Sequence, residues 1–392
     1  MQVAVIGAGV IGASIAAELA LRGAAVTLIE QDRPGTGTSA ASFAYINANG
    51  KRPDSYYRIN VEGVRAHARL ATEHGGNWLS MNGRVEFATD DSHSRELQAR
   101  FERLHDLGYD MEQIGPERAR RLIPGLLVPE GAKKIVHFKE EGHVYPQLYI
   151  AAQLQRAREH GAETLMGARV ERISELGDGY AVELEGGTRL TTDRVVVAAG
   201  RGTPPLLSTL GAELAMLDYS EPGDVTVGYL CTTTPVPAAF DRLLTSPRLN
   251  VRPAGGGRLM LQALDLDSTA NPHEPPAPDS DLGREFLRRL REVIRDTDHA
   301  GIEQLVVGRR VMPADGLTIA GTLPGAPGVY VAATHSGITL APFLGESAAR
   351  ELTEGAPDPL LQDFRPDRLI GAAGASTSEA APPAAPRRPG EQ

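Results

Sequence analysis

Residues 2–30 decide the fold of this chain: QVAVIGAGVIGASIAAELALRGAAVTLIE. The opening run QVAVI is short, apolar and β-branched, which is typical of a parallel strand that is buried on both faces. A glycine-rich turn and an alanine-rich helix over about residues 10–22 follow, and Gly23 supplies the stop signal of the helix. A second strand, AVTLIE at 25–30, completes a βαβ unit whose crossover we expect to be right-handed.

The glycines of this unit predict a dinucleotide site. Gly7, Gly9 and Gly12 stand in the order G-A-G-V-I-G between the strand and the helix. Gly7 permits a tight turn, Gly9 lets a pyrophosphate approach the backbone, and Gly12 lets the helix pack on the strand. The N–H groups at the helix N-terminus, around Val10 and Ile11, and its positive dipole end suit the phosphates.

An acidic residue completes the pattern. Glu30 ends the second strand, eighteen residues after Gly12. A carboxylate there accepts hydrogen bonds from a ribose 2′-OH and repels the 2′-phosphate of NADP. The pattern does not separate FAD from NAD, and a βαβ unit whose glycines serve packing alone is the other interpretation. No G-x-x-x-x-G-K-[ST] sequence occurs, so a P-loop is not predicted.

Composition narrows the class of protein. A chain of 392 residues exceeds the size of one hydrophobic core, so two domains are expected. The net charge of -10 provides no basic face, and neither nucleic acid nor an anionic lipid surface is an expected partner. The single cysteine, Cys231, favours a reducing cytoplasm and excludes a disulfide within the chain. No secretory signal or long apolar run is recognisable, so neither secretion nor a transmembrane segment is predicted.

Hydrophobic periodicity outlines the remaining elements. It predicts helices over 54–74, 92–107, 146–160, 280–296 and 338–353. Apolar runs at 194–198 and 328–333 read as buried strands that return to the first sheet, whereas 214–262 has the short strands and turns of an antiparallel sheet. Residues 371–392 are rich in Ala, Pro, Gly and Ser, and we expect a disordered tail.

Two C-terminal segments carry a more specific pattern: GRRVMPADGLTIAG at 308–321 and GVYVAATHSGITLAP at 328–342. They combine an Arg…Asp-Gly segment, an apolar strand and a His-Ser-Gly turn that opens a helix. Together with GHVYP at 142–146, VVVAAG at 195–200 and TSAASFAYINAN at 38–49, they resemble the D-amino acid oxidase and glycine oxidase family of FAD-dependent oxidoreductases, including bacterial D-amino acid dehydrogenase-like members.

The resemblance covers nearly the whole chain up to the tail and implies its fold. The class is α/β, with a Rossmann-type FAD-binding domain and a discontinuous α+β substrate domain built on an antiparallel sheet. The expected FAD-binding domain comprises 1–80, 145–212 and 302–370, and the expected substrate domain comprises 81–144 and 213–301.

The resemblance also implies a non-covalent FAD. Sarcosine-oxidase-like members use a cysteine for covalent flavin and a lysine for oxygen activation. Gly308 stands near the position of that cysteine, and no lysine follows Lys139. By matching positions, Ser39 and Ser42 meet the pyrophosphate and ribityl chain, and Val170 contacts the adenine through its backbone. The remaining cofactor contacts lie beneath the cofactor at Ala199 and Gly200, and beside the isoalloxazine ring at His335, Ser336, Gly337, Ile338 and Thr339.

The implied reaction is oxidation of the C–N bond of a small amino acid or amine by hydride transfer to flavin N5. The substrate would be a D-amino acid, glycine or an N-methyl amino acid. Arg310 stands where the family places the arginine that binds the substrate carboxylate and also faces the cofactor, with Arg309 as its register competitor and Arg252 as a further candidate. His335 either donates to the flavin or substrate or packs within its turn. Family members often carry a tyrosine that touches the substrate carboxylate in the strand near Asn250. This chain has an asparagine there, so the identity of the substrate stays open.

Several alternatives remain open from the sequence. Electrons pass either to oxygen, as in an oxidase, or to a carrier, as in a dehydrogenase. A biosynthetic tailoring amine oxidase, an NAD-dependent dehydrogenase and a non-catalytic FAD-binding subunit are the other hypotheses. A homo-oligomer is compatible with the sequence, which does not define the oligomeric state.

No metal site is predicted. His137 and His143 flank Glu140 and Glu141, but their spacing matches no standard ligand pattern. A solvated loop is the expected structure of this segment, with His143 as a structural turn residue.

Overall fold

The computed structural model describes residues 1–217 and 221–371, so the predicted disordered tail lies outside the described residues from position 372 onward. The helices are α1 (Val10–Leu21), α2 (Asp54–His74), α3 (Asp91–Asp106), α4 (Pro116–Leu122), α5 (Pro146–Glu159), α6 (Thr203–Ser208), α7 (Asp281–Val293) and α8 (Gly337–Glu354). The first strands are β1 (Gln2–Ile6), β2 (Ala25–Glu30), β3 (Tyr45–Ile46), β4 (Leu79–Ser80), β5 (Arg84–Ala88), β6 (Met111–Gln113), β7 (Lys134–Phe138) and β8 (Gly142–Val144).

The later strands are β9 (Glu163–Met166), β10 (Val170–Leu176), β11 (Gly179–Leu184), β12 (Arg189–Thr192), β13 (Arg194–Val197), β14 (Met216–Leu217), β15 (Val227–Thr233), β16 (Leu243–Thr245), β17 (Asn250–Gly255), β18 (Arg258–Gln262), β19 (Ile302–Arg309), β20 (Met312–Pro313), β21 (Ile319–Leu323) and β22 (Ala326–Ala333). Short 3-10 helices occupy Gly200–Gly202, Leu264–Thr269, Pro359–Phe364 and Pro366–Leu369. Within this part of the chain, no helix is both long enough and apolar enough to cross a membrane.

The predicted βαβ unit lies at the centre of a six-stranded sheet, in the order β21-β22-β13-β1-β2-β9. Its five strands from β22 to β9 are parallel, and β21 is an antiparallel edge strand. Val5 pairs with Val196 on one side and with Leu28 on the other, so β1 is buried within the sheet. Helix α1 is buried almost along its whole length because α5 and α8 pack against it. This burial explains why its sequence is almost entirely apolar and small.

A second, eight-stranded sheet has the order β19-β15-β18-β17-β16-β5-β7-β6 and is antiparallel except for the β16–β5 pair. One of its faces, with Tyr229 and Cys231, packs on Phe286 and Leu290 of α7. Strand β19 pairs with β15, although its residues fall in the range predicted for the FAD-binding domain. A division by sheet pairing therefore places the boundary after Arg309 instead of at residue 302.

The segment of residues 38–51 runs across the other face of the eight-stranded sheet. At its start the Thr38 hydroxyl donates to the carbonyl of Arg309 at the end of β19, at 2.9 Å. In its middle the carbonyl of Phe43 accepts a hydrogen bond from Arg252 of β17. This segment therefore lies between the two large sheets and contributes to both of the cavities described below.

The interpretation of the His137–His143 segment as a solvated loop is wrong. His137 lies in β7, His143 lies in β8, and Glu141 between them is fully buried. Burial of the Glu141 carboxylate is possible because the Arg84 guanidinium, also buried, donates to it at 2.6 Å. A local charge pattern does not reveal a partner that lies 57 residues away in the chain.

Candidate active site

The glycine-rich turn after β1 lines a cleft with a volume of about 540 Å³. Gly7 has φ +102°, and a Cβ on it would lie 2.6 Å from the carbonyl oxygen of Ala198. A side chain is therefore excluded at this turn for two independent reasons. The cleft is lined by most of the predicted cofactor residues, namely Gly7, Gly9, Val10, Ile11, Glu30, Ser39, Ser42, Ala199, Gly200, Gly337 and Ile338.

Gly12 has a different role from its neighbours. It does not line the cleft, and a Cβ on it would lie 1.8 Å from the carbonyl oxygen of Gly7. Its lack of a side chain lets α1 pack directly on the turn, as the sequence predicts.

Backbone donors hold the carboxylate of Glu30 at the cleft. The amide N–H groups of Ala8 and Asp32 donate to its two oxygens at 2.8 Å and 3.0 Å. Glu30 also lines an adjoining cavity with a volume of about 420 Å³, together with Val170 and Ala199. The acidic residue therefore lies where the two spaces meet, as a ribose contact between a diphosphate and an adenine requires.

The cleft suits the diphosphate of an adenine dinucleotide. At the N-terminus of α1, the Val10 amide donates to the Ser39 hydroxyl at 3.2 Å, and a Cβ on Gly9 would lie 3.2 Å from the same hydroxyl. The absence of a side chain at Gly9 and the N-terminal amides of α1 create a cradle for phosphate oxygens.

Helix α8 begins in the wall of the same cleft, where a Cβ on Gly337 would lie 3.8 Å from the side chain of Val10 at the start of α1. Its N-cap residue Ser336 accepts a hydrogen bond from Tyr56 of α2 at 2.8 Å, and its own amide donates to the Thr334 hydroxyl at 3.1 Å. The buried imidazole of His67 donates from Nε2 to the carbonyl of Ile338 at 2.7 Å, and burial lowers the pKa of His67 to about 4. Helix α2 therefore fixes the first turn of α8 from behind with neutral groups.

A second cavity, with a volume of about 530 Å³, lies between the two large sheets. Ser336 and Thr339 line it on the side of α8, and Gly228 and Leu230 line it on the side of the eight-stranded sheet. The residues that line both this cavity and the dinucleotide cleft are Thr38, Ala41, Ser42, Val311, His335 and Ile338. The two spaces therefore meet at the N-terminus of α8 and share a wall.

The two neighbouring arginines of the C-terminal pattern face different spaces. Arg309 lines the dinucleotide cleft, whereas Arg310 lines the second cavity. Arg310 Nη1 donates to the carbonyls of Val225 and Val227, both at 2.6 Å, and its Nη2 donates to Asp267 Oδ2 at 2.7 Å. The register therefore directs Arg310, and not Arg309, toward the space that a substrate would occupy.

Arg252 does not line either of these spaces. It is 2% exposed and donates to the carbonyls of Phe43 and Pro253 and to the sulfur of Met260. Burial lowers the pKa of Arg252 to about 10. Asn250 on the same strand is also buried, and its amide donates to Gln262 Oε1 at 3.2 Å.

The structure adds residues that the sequence patterns missed. Tyr45, Lys51 and Asp267 all line the second cavity, and Lys51 is only 5% exposed. The Tyr45 hydroxyl donates to the buried Glu141 carboxylate. Only Tyr45 lies within a quoted family segment, and nothing in the local sequence marks Asp267. No group of three or more His, Cys, Asp or Glu side chains among the described residues could hold a metal ion.

Known proteins are similar to this chain along most of its length. Glycine oxidase from Geobacillus kaustophilus is 26% identical over 384 residues, covering 95% of this chain and 98% of the relative. The crystal structure of glycine oxidase from the same organism superposes with a TM-score of 0.82 at 24% identity, covering 94% of this chain and 100% of that chain. The L-proline dehydrogenase from P. horikoshii superposes with a TM-score of 0.80 at 20% identity, covering 94% of this chain and 97% of that chain.

These comparisons confirm the predicted fold class, an α/β Rossmann-type domain combined with an antiparallel second sheet. They also confirm the cofactor FAD over NAD and an oxidoreductase enzyme over a non-catalytic subunit. Cys231, the single cysteine of the chain, is buried in the core of the eight-stranded sheet, so no cysteine is available to bond a flavin covalently. Residues 2–351 match the family described as FAD dependent oxidoreductase, and the chain belongs to this DAO family.

Proposed function

We propose that this enzyme oxidises the C–N bond of a small amino acid or amine in the cavity beside its FAD. The observation that carries the proposal is that the cavity of about 530 Å³ meets the dinucleotide cleft at the start of α8, where six residues line both spaces. Bound FAD accepts a hydride equivalent from a C–H bond adjacent to nitrogen. The volume of the cavity lies within the range of sites for small ligands.

The chain's own groups supply binding and electrostatic stabilisation. The N-terminal amides and dipole of α8, at Gly337–Thr339, suit negative charge on a reduced ring system. Arg310 binds the substrate carboxylate with the donors that its internal bonds leave unused. His335, which lines both spaces, donates a hydrogen bond to the flavin or the substrate. Val170 and Glu30 contact the adenosine half of the cofactor.

The division into domains and the electron acceptor are parts of the same proposal. Residues 1–80, 145–212 and 302–370 bind FAD, and 81–144 with 213–301 enclose the substrate, with β19 pairing across this boundary. The name of the glycine oxidase relative favours oxygen as the acceptor, and a carrier is the alternative. A cytoplasmic location remains a prediction, and the sequence leaves the oligomeric state open.

An anaerobic spectral titration of the FAD-loaded protein tests the reaction. Glycine, D-amino acids, L-amino acids and N-methyl amino acids are added separately, and the visible flavin absorbance is followed. We expect at least one of them to bleach the flavin. A protein that binds FAD but is bleached by no member of the panel would refute the proposed function. An oxidase should form peroxide after air is admitted. A dehydrogenase should form no peroxide in air but should reduce an artificial electron acceptor.

The role of Arg310 requires its own variant. Arg310→Ala should weaken the apparent affinity for the best carboxylate substrate by about 100-fold, because a charge-assisted bidentate contact is lost, while FAD stays bound. Arg258→Ala is the matched control, because Arg258 lies in β18, away from the cavity lining, and pairs with Glu303 on the surface. Equal substrate affinity in the Arg310→Ala and Arg258→Ala variants would exclude Arg310 as the carboxylate partner.

A further inference from the structure

The carboxylate of Asp267 forms part of the wall of the substrate cavity, beside Arg310. Its Oδ2 accepts from Arg310 Nη2 at 2.7 Å, and its Oδ1 accepts from the amide of Tyr229 at 2.9 Å. The Asp267 side chain is 12% exposed and the Arg310 side chain is 21% exposed. Both residues are therefore largely shielded from bulk water, and both line the cavity. The cavity therefore contains a fixed carboxylate next to its proposed carboxylate-binding arginine.

The strand beneath this ion pair is shaped to accept it. A Cβ on Gly228 would lie 2.4 Å from Arg310 Nη2 and 2.4 Å from Asp267 Oδ2. The pair consequently lies directly over the backbone of β15, and any side chain at residue 228 would displace it. The position of Asp267 is thus fixed by a strand residue, by a backbone amide and by Arg310.

The charge of the pair determines what it can bind well. A lone arginine attracts any small carboxylate, but here the neighbouring carboxylate of Asp267 opposes a second negative charge. Among the described residues, Arg310 uses three of its five N–H donors in internal hydrogen bonds. Each Asp267 oxygen retains a lone pair for a further donor. A zwitterion, with a carboxylate for Arg310 and an amine for Asp267, satisfies both partners.

We propose that Asp267 is a specificity-determining residue that accepts a hydrogen bond from the substrate amine and makes the site bind zwitterionic amino acids in preference to simple carboxylates of the same shape. This inference rests on the proposed function and narrows it to the amino acid class. Burial raises the pKa of the Asp267 carboxyl, and the Arg310 guanidinium opposes that rise, so the carboxylate depends on its cationic partner. Substrate ammonium adds a second favourable cation.

Two ligands that cannot be oxidised test the preference. The probes are 2-aminoisobutyrate, a zwitterion that lacks an α-hydrogen, and 2-hydroxyisobutyrate, an anion of nearly the same shape. Their dissociation constants are measured from the perturbation of the flavin spectrum in the FAD-loaded protein. The wild-type enzyme should bind the amino probe more tightly. In Asp267→Asn the ratio of the two affinities should move toward the hydroxy probe by about tenfold or more, through weaker binding of one and tighter binding of the other.

A matched control separates this role from a structural one. Asp265→Asn removes a carboxylate from the same 3-10 helix, but Asp265 pairs with Arg289 and does not line the cavity. It should leave the affinity ratio unchanged. A merely structural role of Asp267 would weaken both probes together, and that result, or a ratio unchanged from wild type, would overturn the inference.

The outcome remains interpretable if Asp267→Asn does not fold. In the wild-type enzyme, affinity for 2-aminoisobutyrate should fall as the pH approaches the pKa of the probe's ammonium group, whereas affinity for 2-hydroxyisobutyrate should not show this fall. Equal pH profiles for both probes would also overturn the inference. If amino acids bleach the flavin anaerobically but the probes fail these tests, the specificity inference fails while the proposed function stands.

Discussion

Replacing Gly63 with alanine tests how tightly α2 fixes the start of α8. Gly63 lies within α2, where alanine should stabilise the helix by about 1 kcal/mol on propensity alone. A Cβ at this position, however, would lie 2.4 Å from the carbonyl oxygen of Thr339 in the first turn of α8. Ordinary contact begins at 3.4 Å, so the helices must separate by about 1 Å. Overpacking of this kind costs about 1–3 kcal/mol and therefore outweighs the gain in propensity.

The expected net effect is a loss of about 1 kcal/mol in the free energy of unfolding, measured by urea titration with flavin fluorescence as the readout. Because Ile338 and Thr339 line the cavities, the visible flavin spectrum should shift as well. Gly131→Ala is the matched control, since a Cβ there would meet no atom within 4 Å. A Gly63→Ala protein that is more stable than wild type, with an unchanged spectrum, would refute this view of the helix contact.

Two further perturbations probe buried charge. Glu141→Gln should destabilise the protein by about 3 kcal/mol, because the fully buried Arg84 loses one of its two carboxylate partners. Urea unfolding measures this loss, with Glu303→Gln as a surface control, and equal unfolding midpoints for the two variants would contradict the prediction. Burial lowers the pKa of His67 to about 4 and that of His143 to about 3, so both are neutral in the fold and their stabilising contribution is complete above pH 6.5 and declines as the pH falls below it. Each histidine should cost about 2 kcal/mol of stability at pH 5, and the difference in unfolding free energy between pH 7 and pH 5 should shrink in His67→Gln; the same difference in wild type and variant would argue against this assignment.

The cofactor half of the site could be predicted because its signals are local. Gly7 and Gly12 are required by a turn and a helix contact within the same βαβ unit, and Glu30 follows at the end of the next strand. These constraints act over few residues, so a single stretch of sequence contains them all. Arg310 could be placed only through its resemblance to a family segment, because one register step separates it from Arg309, which faces the other space.

Asp267 and Tyr45 were not predicted because their contacts join distant parts of the chain. Asp267 meets Arg310 across 43 residues, and Tyr45 meets Glu141 across 96 residues. A buried carboxylate and a solvated one read alike in a sequence until their partners are known. The same limit explains the position of β19, whose apolar residues suit either sheet and whose place is set by pairing with β15.

The six residues common to both cavities have a consequence for how the two ligands bind. These residues line the FAD cleft as well as the substrate cavity, so a ligand in either space restrains the same wall. Binding of FAD and binding of the amine should therefore be coupled, and each ligand should change the affinity for the other by the same factor.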